Sequence, residues 1–262
     1  MNYVEILNVT FLLIISISIF GWIYSLIIKD SSIADILWGL YFVSAAIFLY
    51  LIRDFRPSII QDIVLGIIII WGLRLSLYIG IRKVGKQEDY RYKEWRKKWG
   101  TSFLIYSLIQ NFIFQGILSF IMLSSVMVID YSQNPKSLNW WQVIGVIVWL
   151  FGFIYEAVSD YQLNKFKRSK KSKDDILNSG LWKYSRHPNY FGEITQWWGL
   201  WIVSIGLSYF YIGLLSPVLI TFLIIKVSGI PLLEKRYHNN PSYQKYANVT
   251  PKLIPINIRK RT

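Results

Sequence analysis

The chain has 262 residues, no cysteine and only two histidines, His187 and His238, so disulfides and thiolate metal sites are excluded and a multi-histidine metal centre is disfavoured. It is 53% hydrophobic with a mean hydropathy of +0.35, richer in apolar residues than the roughly 45–50% of a soluble domain. Its net charge of +14, set beside long apolar runs, reads as the cation bias of cytoplasmic membrane loops rather than as affinity for nucleic acid.

A helix that crosses a bilayer needs about 20 mostly apolar residues, because hydrocarbon cannot satisfy backbone polar groups. The first such run covers residues 6–28; it has no basic region before it and no small-residue cleavage site after it, and reads as a retained helix. A turn at Lys29-Asp30-Ser31-Ser32 leads to the second run, residues 33–52. Arg53-Asp54-Phe55-Arg56-Pro57 breaks the chain, with Pro57 disfavouring helix at Arg56, and the third run covers residues 59–81. A polar loop, residues 82–102, precedes the fourth run, residues 103–129. Residues 130–139 contain Pro135 and read as a turn. The fifth run starts at Trp140 and continues as helix to about residue 166, and a second basic loop reaches about residue 190. Shorter runs at about 193–207 and 211–228, the latter interrupted by Pro217, complete seven expected spans before a polar tail from residue 229. The expectation is one all-α integral membrane domain over residues 1–262, with no linker or low-complexity tract dividing it.

Charge sets the expected orientation. Residues 82–102 hold eight Lys/Arg, residues 165–187 eight, and residues 229–262 seven; with seven spans these fall on one side, facing only Arg53, Arg56 and Lys136 on the other. The cation rule then places the C-terminus in the cytoplasm and the N-terminus outside. Trp95, Trp99, Trp140 and Trp141 lie near span ends, where aromatic belts form.

Polar side chains within spans are costly and therefore candidate functional groups, although interhelical hydrogen bonding explains them equally well. Asp35, Arg74, Tyr78, Gln110, Asn111 and Gln115 fall in the first four spans. Glu156, Asp160, Asn164 and Lys167 recur at spacings of four, four and three, which puts carboxylates, an amide and a cation on one helical stripe. Such a stripe suits ribose hydroxyls and a phosphate, and suits a solvated face as well. The segment from Gly180 to Glu193 places Arg186 and His187 just before a helix start with Pro188 in its first turn; free amides and the positive dipole end there suit an anion.

This last segment resembles the C-terminal domain of the steroid 5-alpha-reductase superfamily, in particular its bacterial branch of membrane proteins. Further matching pieces are Lys86-Gln87-Glu88-Asp89-Tyr90-Arg91-Tyr92, Glu156 with Asp160-Tyr161-Gln162, Ser228-Gly229-Ile230-Pro231-Leu232-Leu233-Glu234, Tyr243 with Tyr246, and Ile254-Pro255. The resemblance to that branch covers nearly the whole chain, and that to the eukaryotic reductases runs from Glu156 to the end. It implies residence in a bacterial inner membrane and an NADPH-dependent reduction of a carbon–carbon double bond conjugated to a carbonyl in a lipophilic substrate drawn from the bilayer. It implies that residues 140–262 hold NADPH through Asp160, Asn189 and Glu193, with Glu156, Lys167, Tyr184, Arg186 and His187 beside them. Two positions depart from the family pattern: Lys167 stands where the reductases carry Arg, and Glu156 where they carry Asn. A lysine makes no bidentate phosphate grip. The resemblance leaves residues 1–130 for the lipid, with Asp35 and Tyr78 as the nearest counterparts of a carbonyl-binding acid pair and Glu193 as a further catalytic candidate. Tyr78 is preferred as the acid because a phenol is protonated at neutral pH. Glu88, Asp89, Arg91 and Tyr92 are read either as a flap over the cofactor or as a solvated loop. An S-adenosylmethionine-dependent membrane methyltransferase shares the Arg-His-Pro-x-Tyr-x-Gly pattern met by residues 186–192 and is the alternative. A non-catalytic transporter or lipid-binding membrane protein is a third reading, with no inverted repeat or pair of broken helices to support transport.

Overall fold

The computed structural model describes residues 1–52, 58–132, 138–170, 172 and 174–256. The expected breaks at Arg53 to Pro57 and around Pro135 and Lys136 lie outside the described residues, as does the end of the basic tail. Among the described residues every regular element is helical. Six stretches are long and apolar enough to cross a membrane: Tyr3–Ile27, Ile33–Ile52, Ile59–Lys83, Tyr90–Met122, Trp140–Ser169 and Phe210–Tyr237. The helix Pro188–Ser204 has 17 residues, the lower end of what a span requires. The chain is an all-α polytopic membrane protein.

The helices gather into two compact units, the first comprising Met1–Leu138 with Gly206–Leu215, the second Asn139–Ile205 with Ser216–Thr262. In the first unit α1 (Tyr3–Ile27) starts at a capping box in which Asn2 and Glu5 satisfy each other's backbone amides. α2 (Ile33–Ile52) and α3 (Ile59–Lys83) cross where Gly39 meets Gly72. A Cβ on Gly39 would lie 2.3 Å from the Gly72 carbonyl oxygen, so this contact exists only because both residues lack one. Ser76 Oγ donates to the Ile36 carbonyl at 2.8 Å across the same crossing. α4 (Tyr90–Trp99) is capped by Asp89, whose side chain accepts from the Arg91 amide. A short 3₁₀ turn joins it to α5 (Phe103–Tyr106), a π-helical stretch (Ser107–Ile113) and α6 (Phe114–Met122). α7 (Ser124–Tyr131) and α10 (Phe210–Gly213) complete the unit. The buried Gln61 amide donates to the carbonyls of Ile129, Asp130 and Ser132, satisfying the C-terminal end of α7.

The second unit is organised on α8 (Trp140–Ser169) and α9 (Pro188–Ser204). Gly145 and Gly152 on α8 face Gly199 and Gly192 on α9, and a Cβ at any of the four would come within 2.9 Å of backbone on the partner helix. Both helices therefore repeat a small residue every seven positions, which keeps one seam in register along the pair. α11 (Leu215–Phe222) runs through a π-turn (Leu223–Val227), and α12 (Ile230–Tyr237) and α13 (Pro241–Val249) follow.

The polar loop expected over residues 82–102 is mostly helix: α3 extends to Lys83 and α4 begins at Tyr90. Its Lys, Arg and Glu residues are good helix formers, and polarity hid a helix that an apolar-run criterion cannot see. The fourth span is interrupted by the π-helical stretch and breaks at Leu123. The polar tail likewise folds, because Pro231 and Pro241 occupy first-turn positions of α12 and α13.

Candidate functional site

In the first unit the candidate chemistry centres on Asp35, in the opening turn of α2. Its Oδ2 accepts from Arg91 Nη2 at 2.7 Å and its Oδ1 from the Tyr92 hydroxyl at 2.8 Å. Tyr92 is 1% exposed, and Gln115 adds a side-chain hydrogen bond to it. Arg91 also donates through Nε to Asp89 at 2.9 Å, so its guanidinium bridges two carboxylates. Next to this cluster the Ser31 amide donates to Glu88 Oε1 at 2.9 Å, and Arg96 grips the same carboxylate through Nε and Nη2. Lys83 pairs with Asp30 at 2.8 Å. The 29–35 segment and the 83–96 segment are thus laced together by charge. Residues Glu88 to Tyr92 form an ordered wall on Asp35, which accounts for why the tyrosine that reaches Asp35 is Tyr92. Tyr78, the partner expected from the sequence, is half-buried on α3 with the Arg82 guanidinium 5.1 Å above its ring. Asn111 and Gln115 lie on the inner side of the fourth span, whereas Gln110 is exposed.

In the second unit the close α8–α9 seam brings Glu156 and Asp160, the first half of the expected stripe, against α9. Asn189 Nδ2 donates to Asp160 Oδ1 at 3.3 Å, and Gln196 Nε2 donates to Glu156 Oε2 at 2.6 Å. Both carboxylates are buried, Glu156 at 4% and Asp160 at 5% exposure. Glu193 is half-buried one turn beyond Asn189, and Lys167 and Tyr184 are exposed, with the Lys183 ammonium 5.8 Å over the Tyr184 ring. The loop before α9 is pinned at several points. Leu181 N donates to Gln162, Trp182 Nε1 to the Ser159 carbonyl, and Ser185 Oγ to the Leu253 carbonyl. The Tyr246 hydroxyl donates to the Trp182 and Ser185 carbonyls.

Arg186 and His187, expected to face an anion, meet an internal one. Arg186 Nη1 lies 2.9 Å from Glu234 Oε1, Lys252 Nζ 3.3 Å from Glu234 Oε2, and His187 Nε2 3.5 Å from Glu234 Oε1. Burial pushes the His187 imidazole down to about 4 against the opposing pull of Glu234, so at neutral pH it is uncharged. A cavity of about 170 Å³ lies beside this cluster, bounded by Arg186, Glu234, His238 and Tyr243. Glu234 and Tyr246 lie in segments that carry the family resemblance, which assigns neither of them a role. The available signal was that Glu234 is the one acidic residue in a tail of seven cations.

The family described as Protein of unknown function (DUF1295) matches residues 21–250. Among curated proteins the chain is 29% identical over 110 residues to the 3-oxo-5-alpha-steroid 4-dehydrogenase 1 of Bos taurus, covering 40% of this chain and 41% of that one. It is 35% identical over 65 residues to the steroid 5-alpha-reductase DET2 of Arabidopsis thaliana, 24% of each chain. It is 28% identical over 155 residues to the uncharacterized protein C594.04c of Schizosaccharomyces pombe, 49% of this chain and 43% of that one. The chain thus spans less than half the length of these relatives. No solved structure matches it.

Proposed function

The chain belongs to the DUF1295 family, and from that premise, with its likeness to steroid 5-alpha-reductases, we propose that it is a membrane-embedded NADPH-dependent reductase of a lipophilic conjugated enone. The observation that carries the proposal is the buried Tyr92 hydroxyl, which donates to Asp35 Oδ1 at 2.8 Å and so presents a neutral acid in a fixed position.

The residues of the second unit fit a dinucleotide. Buried carboxylates at Asp160 and Glu156 offer acceptors to ribose hydroxyls, and Gln196 Oε1 is a buried acceptor with no partner among the described residues. Asn189 and Glu193 stand one turn apart in the opening half of α9, and Lys167 and Lys183 supply exposed cations for phosphates. Arg186 contributes less than its charge suggests, because Glu234 already balances it. NADPH, when bound, supplies the hydride that the β-carbon of the enone receives.

Tyr92 does the acid work. Its hydroxyl has one hydrogen and two acceptor lone pairs. Turning that hydrogen from Asp35 to a substrate carbonyl leaves Asp35 held by Arg91, so the exchange strands no carboxylate. The hydrogen bond to the carbonyl strengthens as negative charge gathers on oxygen, which lowers the barrier, and the enolate so formed takes its proton at the α-carbon, directly or by way of the enol, to give the saturated ketone. Asp35 fixes the phenol's position, and Tyr78 is retained as the second candidate acid. The substrate is lipophilic and enters from the bilayer. The basic segments face the cytoplasm in this proposal; reporter fusions after Leu138 and at Thr262 then report opposite sides, and a common side overturns the orientation.

Calorimetric titration of the detergent-solubilised chain tests the cofactor. NADPH binding with no response to S-adenosylmethionine is the expected result. Binding of S-adenosylmethionine alone moves the chain to the methyltransferase reading, which rests on residues 186–192.

A further inference from the structure

Asn111 is 1% exposed, and neither its Nδ2 nor its Oδ1 has a hydrogen-bond partner among the described residues. A carboxamide buried this way forfeits the hydrogen bonds it would make in water, and such groups are normally satisfied. Its neighbours on the fourth span are. Ser107, four residues before, accepts from Trp22 Nε1 at 3.1 Å. Gln115, four residues after, is hydrogen-bonded to Tyr92. Ser119, the next residue at the same spacing, donates through Oγ to the Gln115 carbonyl at 2.9 Å, so that of the four polar residues in this line only Asn111 is left over. Interhelical glue accounts for Ser107 and Gln115 but not for Asn111, because glue needs something to bind.

The backbone gives a second observation. Asn111 lies inside the π-helical stretch Ser107–Ile113, an insertion that resets which side chains point inward. Such insertions are energetically poor and concentrate at functional positions.

We propose that Asn111 is a second polar anchor for the lipid substrate. Its carboxamide receives a hydroxyl or carbonyl of the same lipid whose carbonyl Tyr92 holds, the link between the two positions being Gln115, one turn from Asn111 and hydrogen-bonded to Tyr92. The proposal rests on the reading of Asp35–Tyr92 as the carbonyl site. It narrows the substrate to a lipid with two oxygen functions on neighbouring parts of one ring system or chain. A carboxamide both donates and accepts, so it takes either group, and a mono-oxygenated lipid would leave it unpaired. Discrimination of this kind is steep, since a site built for a polar group rejects the analogue lacking it.

The test uses full-length detergent-solubilised protein, with cholest-4-en-3-one and its 6-hydroxy derivative as probes. Wild type should bind the hydroxylated probe at least about tenfold more tightly than the plain enone. Asn111→Leu, close in shape, should raise the melting temperature of the protein without added probe by about 2–5 °C, since an unpaired amide is removed. The same variant should bring the two affinities together. Asn111→Met, which adapts to its surroundings, guards against a packing fault specific to leucine. A fall in melting temperature for both variants makes the amide structural and overturns the proposal. An unchanged affinity ratio overturns it as well, with the carbonyl site intact. If instead wild type binds neither probe, or Tyr92→Phe binds both as wild type does, the reading of the carbonyl site itself fails and takes the second anchor with it.

Discussion

Tyr92 and Asp35 meet across 57 residues of sequence, the phenol donating to Oδ1 at 2.8 Å while Arg91 occupies Oδ2 at 2.7 Å. A carboxylate with each oxygen matched to a different donor has a fixed plane, and that plane fixes the phenol. Replacing Tyr92 by Phe removes the acid and keeps the ring. The expected outcome is a loss of turnover of about 100-fold or more with NADPH affinity near wild type. Tyr78→Phe, measured alongside, should leave turnover close to wild type; the reverse ranking would return the acid to Tyr78.

The α8–α9 site makes a separate prediction. Asp160→Ala and Glu193→Gln each remove hydrogen bonds involving a charged group, worth about 1.5–3 kcal/mol. NADPH affinity should fall by roughly ten- to a hundredfold in fluorescence titration while elution on size exclusion stays unchanged. Normal affinity combined with poor expression would mark both as packing residues.

His187 predicts a pH response. It is buried beside Arg186, Lys252 and Glu234, and its folded value of about 4 lies below the ordinary 6.5. The unfolded chain therefore takes up the proton first as pH falls, and stability is lost between about 6.5 and 4, by about 3 kcal/mol at the lower end. Above pH 6.5 the group contributes no slope. Melting temperatures measured from pH 7.5 to 4.5 should decline across that window, and His187→Gln should flatten the decline. An identical slope in the variant would assign the response to other groups.

The glycine seam predicts intolerance to any side chain. A Cβ on Gly192 would sit 2.6 Å from the Glu156 amide nitrogen and the Gly152 carbonyl oxygen, both rigid backbone atoms. Gly192→Val should cost about 3 kcal/mol or more and abolish a monodisperse elution peak, because the helices cannot separate without breaking the Asp160–Asn189 and Glu156–Gln196 contacts. A well-behaved Gly192→Val protein would show that the seam has room to spare.

The sequence by itself determined that the chain is helical and membrane-spanning, because runs such as residues 6–28 and 33–52 leave no other way to satisfy their backbone in lipid. It also put Glu156 and Asp160 on one helical stripe and Asn189 and Glu193 on one face, because side chains four apart share a helix face. Only the tertiary structure decided the partners. That Asp35 takes Tyr92, that Glu234 answers Arg186, and that Asn111 alone in its polar line goes unmatched all depend on contacts between residues distant in the chain. Helical periodicity says which residues share a face, but which faces meet is set by close packing at points such as Gly39 against Gly72 and Gly152 against Gly192. A single sequence carries no marker for that pairing, because a glycine that permits a helix crossing reads the same as any other glycine in an apolar run.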